Sequence, residues 1–355
     1  MKKSLIALAV LTASGISFAQ SSVTLFGIVD AAYAYGSGTV SNKSQLKNSG
    51  YNSSRIGFRG VEDLGGGLKA SFHLEAGVNN DDGSGAGTNQ NNQDAGTFDP
   101  LKGTNAKVES RSQGLTFNRR STVSLEGSFG EVRLGRDYTP QFWTETAYDP
   151  FGTNGVGSNI AAAKGGNTGV RASNSIGYLS PSFSGLKVWA QAYMGENAST
   201  DAAKAGDGNA IRVTYDAGPL SLAVATSSTK VALNTKNKTS NIGGSYDLGV
   251  AKLFAQTNLT KVDGVADNIK GGLFGVTAPL GAGTIRAALS STAKGDAKSN
   301  QFALGYVYGL SKRTDLYATF ATVKNKGGAA VGLNGAVTGA NASSSGYDFG
   351  VKHSF

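Results

Sequence analysis

The last ten residues of the sequence, Gly346-Tyr347-Asp348-Phe349-Gly350-Val351-Lys352-His353-Ser354-Phe355 (GYDFGVKHSF), alternate at every position. Tyr347, Phe349, Val351, His353 and Phe355 share one parity, and Asp348, Gly350, Lys352 and Ser354 the other. A period of two with large side chains on one side predicts a β-strand with one apolar and one polar face. Ends of chains are usually frayed and polar. A strand that runs to Phe355 in mid-alternation is therefore expected to be held within a wall of neighbours.

The same alternation recurs through the chain. Sixteen segments carry it: 23–36, 53–64, 68–78, 115–127, 130–138, 174–182, 186–195, 208–218, 220–229, 239–249, 251–262, 267–281, 283–295, 299–312, 314–325 and 344–355. In 208–218, Ile211, Val213 and Tyr215 oppose Arg212, Thr214 and Asp216. In 299–312, Phe302, Leu304, Tyr306 and Tyr308 oppose Gln301, Ala303 and Gly305. The connections alternate in length. Those at 65–67, 128–130, 183–185, 218–219, 249–250, 281–283 and 312–313 are tight and mostly carry Gly or Pro, as turns require. Those between them are mostly longer, notably 37–52, 79–114, 139–173 and 326–343. Turns on one rim, loops on the other and an even strand number describe a bacterial outer-membrane barrel. Side chains cannot fill a sixteen-stranded bore, so its lumen is wet and the apolar face looks outward at lipid. Closure satisfies every backbone group within the wall, which lipid demands, and requires 344–355 to pair with 23–36.

Composition agrees. The chain has 51 Gly, 13 Tyr and 16 Phe against 6 Pro and 2 Met, with no three-residue glycine period. That excludes collagen and suits a large antiparallel β protein. Mean hydropathy is −0.18, and no internal run reaches the roughly 20 apolar residues of a membrane helix. Lys2 and Lys3, the apolar run Leu5 to Leu11 and Ser17-Phe18-Ala19 have the layout of a secretory signal. Residues 1–19 are accordingly expected to be a signal peptide and 20–355 the barrel domain. Removing the signal lowers the formal charge from +9 to +7. Cysteine is absent, so disulfides and thiolate metal sites are excluded.

Other function classes lack their chemistry. The two histidines are His73, facing inward beside Glu75, and His353, on the lipid parity. No HExxH, GxSxG or P-loop pattern accompanies them, so no enzyme and no cofactor are expected. Positive charge without aromatic–basic clusters does not make a nucleic-acid binder. A barrel acting only as adhesin or anchor remains the alternative, and it would need neither wall arginines nor an inward loop.

Four stretches carry a resemblance. SSVTLFGIVDAAYAY at 21–35, SSRIGFRGVEDLGGGLKASFHLE at 53–75, RRSTVSLEGSFGEVRLGRD at 119–137 and the terminal aromatic strand resemble the trimeric general porins of Gram-negative outer membranes. They are nearest the anion-selective porins of β-proteobacteria. The resemblance covers essentially the whole mature chain. It implies a 16-stranded antiparallel transmembrane β-barrel with an inward-folded third extracellular loop. It also implies a homotrimer in outer-membrane lipid and lipopolysaccharide that passes small anions and hydrophilic solutes. In such proteins the terminal aromatic strand is also read by the barrel assembly machinery, a role that falls on Tyr347, Phe349 and Phe355.

The family places a cluster of wall arginines opposite acidic residues of the inward loop. Arg55 shares parity with Gly57 and Arg59 against Ile56 and Phe58, so it faces the lumen. Val123 and Leu125 mark the lipid parity, which turns Arg120 inward; its neighbour Arg119 turns in if a bulge shifts the register. Arg171 matches the third family arginine. A lipid-facing arginine at mid-depth costs about 2–4 kcal/mol, which supports the inward assignment. The segment 139–170 is long enough to be functional and is the candidate inward loop, with Glu145 and Asp149 as candidate constriction acids beside Lys164. The 79–114 loop resembles the family's intersubunit latch. Arg136, on the outward parity of Val132 and Leu134, is the expected trimer contact, with Glu109 or Asp99 as partner. Three charges about 7 Å from the axis in bulk-like water bias a monovalent anion by roughly 1.8 kcal/mol, about twenty-fold. Such a site attracts without trapping, as conduction needs.

Overall fold

The structure, a computed structural model, describes residues 22–87, 92, 98–99, 104–105, 112–164, 166–196, 205–231 and 235–355. The expected signal segment 1–19, and the side chains of Asp99 and Glu109, lie outside them. Sixteen antiparallel strands form the wall. They are β1 (Ser22–Ser37), β2 (Arg55–Gly65), β3 (Leu68–Asn79), β4 (Arg120–Gly127), β5 (Gly130–Tyr138), β6 (Arg171–Leu179), β7 (Leu186–Tyr193) and β8 (Gly208–Ala217). Then follow β9 (Leu220–Lys230), β10 (Lys236–Asp247), β11 (Lys252–Val262), β12 (Ile269–Leu280), β13 (Gly283–Lys294), β14 (Ala297–Gly309), β15 (Thr314–Lys326) and β16 (Ser344–Ser354). Each pairs with the next, and β16 returns to β1 through Ile28↔Ser354 to Ser37↔Ser345. The barrel is closed and transmembrane.

The seam explains the opening alternation. Phe355 and Gly27 exchange both backbone hydrogen bonds at 3.0 Å, so pairing runs to the final residue. A Cβ on Gly27 would stand 2.2 Å from the Phe355 ring, so only glycine fits there. Below this point β1 pairs with β2 from Ser22↔Val61 to Ile28↔Arg55. Above it a short strand at Lys43–Asn48 folds back from the first loop and continues the wall beside β1.

Faces follow parity. Tyr347, Phe349, Val351 and Phe355 are exposed, as are Ile211, Tyr215, Phe302, Leu304 and Phe320 on their strands. These are the lipid-facing side chains of an outer-membrane barrel. His353 shares that face and meets the Thr314 hydroxyl at 2.9 Å. Most boundaries differ from the sequence expectation by up to three residues, and three differences have a visible cause. Residues 115–119 precede β4 rather than belonging to it, because Asn118 is diverted to Gly77 N–H and to the carbonyls of Ala86 and Gly87. β6 stops at Leu179, ahead of Pro181, which has no N–H to give a ladder. The Lys43–Asn48 strand lies in what reads as a loop because its partner is only the upper half of β1.

Between β5 and β6 the chain turns into the barrel. Helix α1 (Pro140–Ala147) starts with Pro140, whose fixed φ suits a first helical turn. The segment is then fastened to inward side chains around the wall. Asn241 of β10 donates to Gln141 O, and Gln256 of β11 donates to Glu145 O and Tyr148 O. Gln301 of β14 donates to Val156 O and Ser158 O, and Asp348 of β16 accepts from Val156 N–H at 2.7 Å. Phe151 and Val156 pack on Ala288, Ala303 and Ala321, buried residues of β13, β14 and β15. Small inward residues on three successive strands leave the hollow that the loop's aromatic ring occupies.

Candidate functional site

Opposite this loop, β2 to β8 present a dense ionic surface to the lumen. Glu75 of β3 is its centre. Arg119 Nε lies 2.5 Å from Glu75 Oε1, Arg55 Nη1 3.6 Å from the same oxygen, and His73 Nε2 3.5 Å from Oε2. Arg120 faces Asp137 at 3.4 Å and places Nη1 3.4 Å from His73 Nδ1. Arg133 of β5 grips Glu131 through two 2.8 Å bonds and reaches Asp137 at 2.6 Å. The Tyr138 hydroxyl accepts from both Arg119, at 2.6 Å, and Arg171, at 2.9 Å, and the Arg171 guanidinium lies over its ring. Arg212 of β8 adjoins the group and donates to Thr144 of α1 at 3.1 Å. Among the described residues, six guanidinium groups therefore stand with three carboxylates.

The local fold places these side chains. Arg55, Glu75 and Arg120 fall in register on adjacent strands, with Arg55↔Gly77 and Glu75↔Arg120 paired. Arg119 lies just before β4, outside regular pairing, and its backbone N–H donates to Glu75 O at 3.0 Å. Both Arg119 and Arg120 thus send their heads into the same cluster. A bulge between Gly135 and Asp137, with Gly135 at φ +119°, shifts β5 against β6 and sets Tyr138 opposite Arg171.

The loop acids have another setting. Glu145 and Asp149 are buried at 2% and 5% exposure. Glu145 accepts from Ala163 N–H at 2.7 Å. Asp149 accepts from the N–H groups of Phe151, Thr153 and Asn159 at 2.9–3.1 Å. Both serve the loop's own backbone rather than presenting charge to the lumen. Burial pushes the Glu145 carboxyl up to about 8 and raises that of Asp149 as well.

Arg136 is also enclosed. It donates to Asn118 O at 2.6 Å and to the Ser173 hydroxyl at 2.9 Å, at the base of the second long loop. Asn92 of that loop bonds Ser173 N–H, Met194 O and Gly206 O of the same chain.

Several members escape a reading restricted to known motifs. Arg133 and Arg212 have the required parity, opposite Val132 and Leu134 and opposite Ile211 and Val213 respectively. Arg286 has the same parity, opposite Ile285 and Ala287, but its setting does not follow from it. It is buried on β13 between the rings of Tyr51 and Phe151, at 4.6 and 4.7 Å, and depends on where two loops travel.

Comparison with known proteins fits this architecture. The family model for Gram-negative porins matches residues 4–328. Outer membrane porin protein 32 of Delftia acidovorans is 40% identical over 378 residues, covering 100% of both chains. An outer membrane porin protein of Bordetella pertussis is 30% identical, covering 92% of this chain and 95% of its own. A solved structure described as an anion-selective porin from Comamonas acidovorans superposes with TM-score 0.80 at 37% identity. It covers 95% of this chain and 100% of that one. With a closed sixteen-stranded wall, an apolar outer face and relatives matched end to end, this chain belongs to the Gram-negative porin family and is a channel of the outer membrane.

Proposed function

We propose that the channel prefers small anions, and that the guanidinium cluster around Glu75 and Asp137 sets the preference. The carrying observation is the imbalance of six arginines against three carboxylates on one side of a lumen whose other side holds the loop. With Glu145 and Asp149 turned into the loop backbone, they hold the loop's shape and leave the opposing charge to wall acids. Arg55, Arg119, Arg120 and Arg171 then form the basic wall of the constriction. The relative whose structure is described as anion-selective supports the same sign. His73 belongs to the ionic network and His353 to the outer face, so neither has a catalytic part.

The working unit is proposed to be a homotrimer in outer-membrane lipid and lipopolysaccharide, inserted by the barrel assembly machinery. Arg136, held by Asn118 and Ser173, would support the base of the second loop at the subunit contact. Planar-bilayer recordings under a KCl gradient test the proposal. Conductance rising in threes and a reversal potential of anion-selective sign are expected. Arg120→Glu and Arg55→Glu should each shift that potential toward cations. An unchanged potential in both variants would place the filter elsewhere.

A further inference from the structure

The chain has two tryptophans, Trp143 and Trp189. In an outer-membrane barrel, tryptophan ordinarily belongs to the interfacial girdles that face lipid headgroups. Here both line one lumen cavity of about 420 Å³. Trp189 lies on the inward parity of β7 with Lys187 and Gln191, and Gln191 bonds Ser175 and Tyr138 O inside the barrel. Its indole leans over Gly177 of β6, where Nε1 stands 3.5 Å from the point a Cβ would occupy. Trp143 projects from α1 and is 42% exposed, with Tyr138 at 5.4 Å behind it.

The cations of this cavity are unequally engaged. Arg120 and Arg133 already face Asp137, and Arg133 also holds Glu131. Arg212 is the direct cross-strand partner of Trp189 and donates to Thr144. Among the described residues, neither Arg212 nor Lys187 has a carboxylate within ion-pair distance. Leu179 and Val188 add apolar lining. Asp216 and the Tyr148 hydroxyl also act on Arg212, but no carboxylate among the described residues is paired with it. A guanidinium without a paired carboxylate beside one indole, in a cavity that a second indole from the loop also lines, matches an anion that has an apolar, flat body.

We propose that this cavity is a subsite for aromatic carboxylates: the carboxylate meets Arg212 and Lys187, and the ring rests against Trp189 and Trp143. The inference rests on the reading of the channel as anion-passing and names the solute class that would use it. Guanidinium groups give the ionic contact. The indole faces discriminate between a flat ring and a saturated ring of the same size, by about 2- to 12-fold for one aromatic contact.

Because both tryptophans lie at the site, their fluorescence reports on it directly. The assembled protein in detergent is titrated with sodium benzoate, cyclohexanecarboxylate and acetate at equal ionic strength. Saturable quenching by benzoate at several-fold lower concentration than by cyclohexanecarboxylate is expected, with no saturation by acetate. Trp189→Leu should abolish the preference, and Trp189→Phe should retain most of it. Equal response to benzoate and cyclohexanecarboxylate would overturn the subsite, as would an undiminished preference in folded Trp189→Leu. Chloride conductance of the unmodified protein in bilayers is measured separately. Its absence would defeat the channel reading, whereas chloride current without benzoate preference would defeat only the subsite.

Discussion

Individual residues show how environment assigns roles to chemically similar groups. Glu75 and Glu145 are both nearly buried, yet Glu75 is ringed by Arg55, His73 and Arg119 while Glu145 meets a backbone N–H. Burial raises the Glu145 carboxyl from its ordinary 4.5 to about 8, so the folded loop holds its proton at neutral pH. A raised value means that the folded state binds the proton more tightly than the unfolded chain. The associated stability is complete below about 4.5 and is lost as pH rises through about 8. Thermal unfolding in detergent should therefore show stability falling between about pH 4.5 and 8 and levelling off above that, with Glu145→Gln flattening the fall. The same slope in both proteins would assign the effect to another group. Asp30 makes a second residue-scale case. It is fully buried and accepts from Gly50, Tyr51 and Asn52 N–H and from the Tyr317 hydroxyl. Asp30→Ala strands these donors, each worth about 1–3 kcal/mol when buried without a partner. Loss of the compact barrel at a clearly lower temperature is expected when samples are heated stepwise before gel electrophoresis.

At the scale of elements, the wall was legible in advance and the loops were not. Alternation marks each strand because inward and outward faces meet different solvents, and that contrast is written into neighbouring positions. It located sixteen segments within a few residues, failing where Asn118 leaves the ladder and where Pro181 ends β6. Parity also turned Arg55 and Arg120 inward, and it puts Arg133, Arg212, Arg286 and Trp189 on the same face. The seam gives an element-scale prediction. Deleting Phe355, or replacing Gly27 by Val, removes or blocks the last pairing of β16 with β1. Fewer assembled barrels per expressed chain are expected, with unchanged conductance in those that form. A normal yield for both variants would refute the closure argument. Phe151 gives another. Its ring fills the hollow over Ala288, Ala303 and Ala321, so Phe151→Ala forfeits about 3–5 kcal/mol of loop packing. Larger and noisier single-channel currents should follow.

For the molecule as a whole, the charged cluster acts through water across an open lumen, so ionic strength governs its reach. The Debye length shrinks from about 30 Å at 0.01 M to about 3 Å at 1 M salt. The anion-to-cation permeability ratio, from reversal potentials at a fixed gradient, should decline steadily as mean KCl concentration rises over this range. A ratio independent of salt would mean that ions are selected by close contact within a narrow, dehydrated ring.

The sequence by itself determined that this chain is a closed barrel with lipid outside and water within. A two-residue period is local, and sixteen repeats of it admit one arrangement that leaves no edge and no lipid-facing charge. Only the tertiary structure decided what fills the lumen. The path of 139–170 depends on acceptors and donors from β9 to β16 and on a hollow made by three alanines far apart in sequence. No neighbouring residues encode that meeting. It exists because closure brings those strands around a common axis, and so Glu145 and Asp149 turn into the loop while Trp143 and Trp189 come to line one lumen cavity.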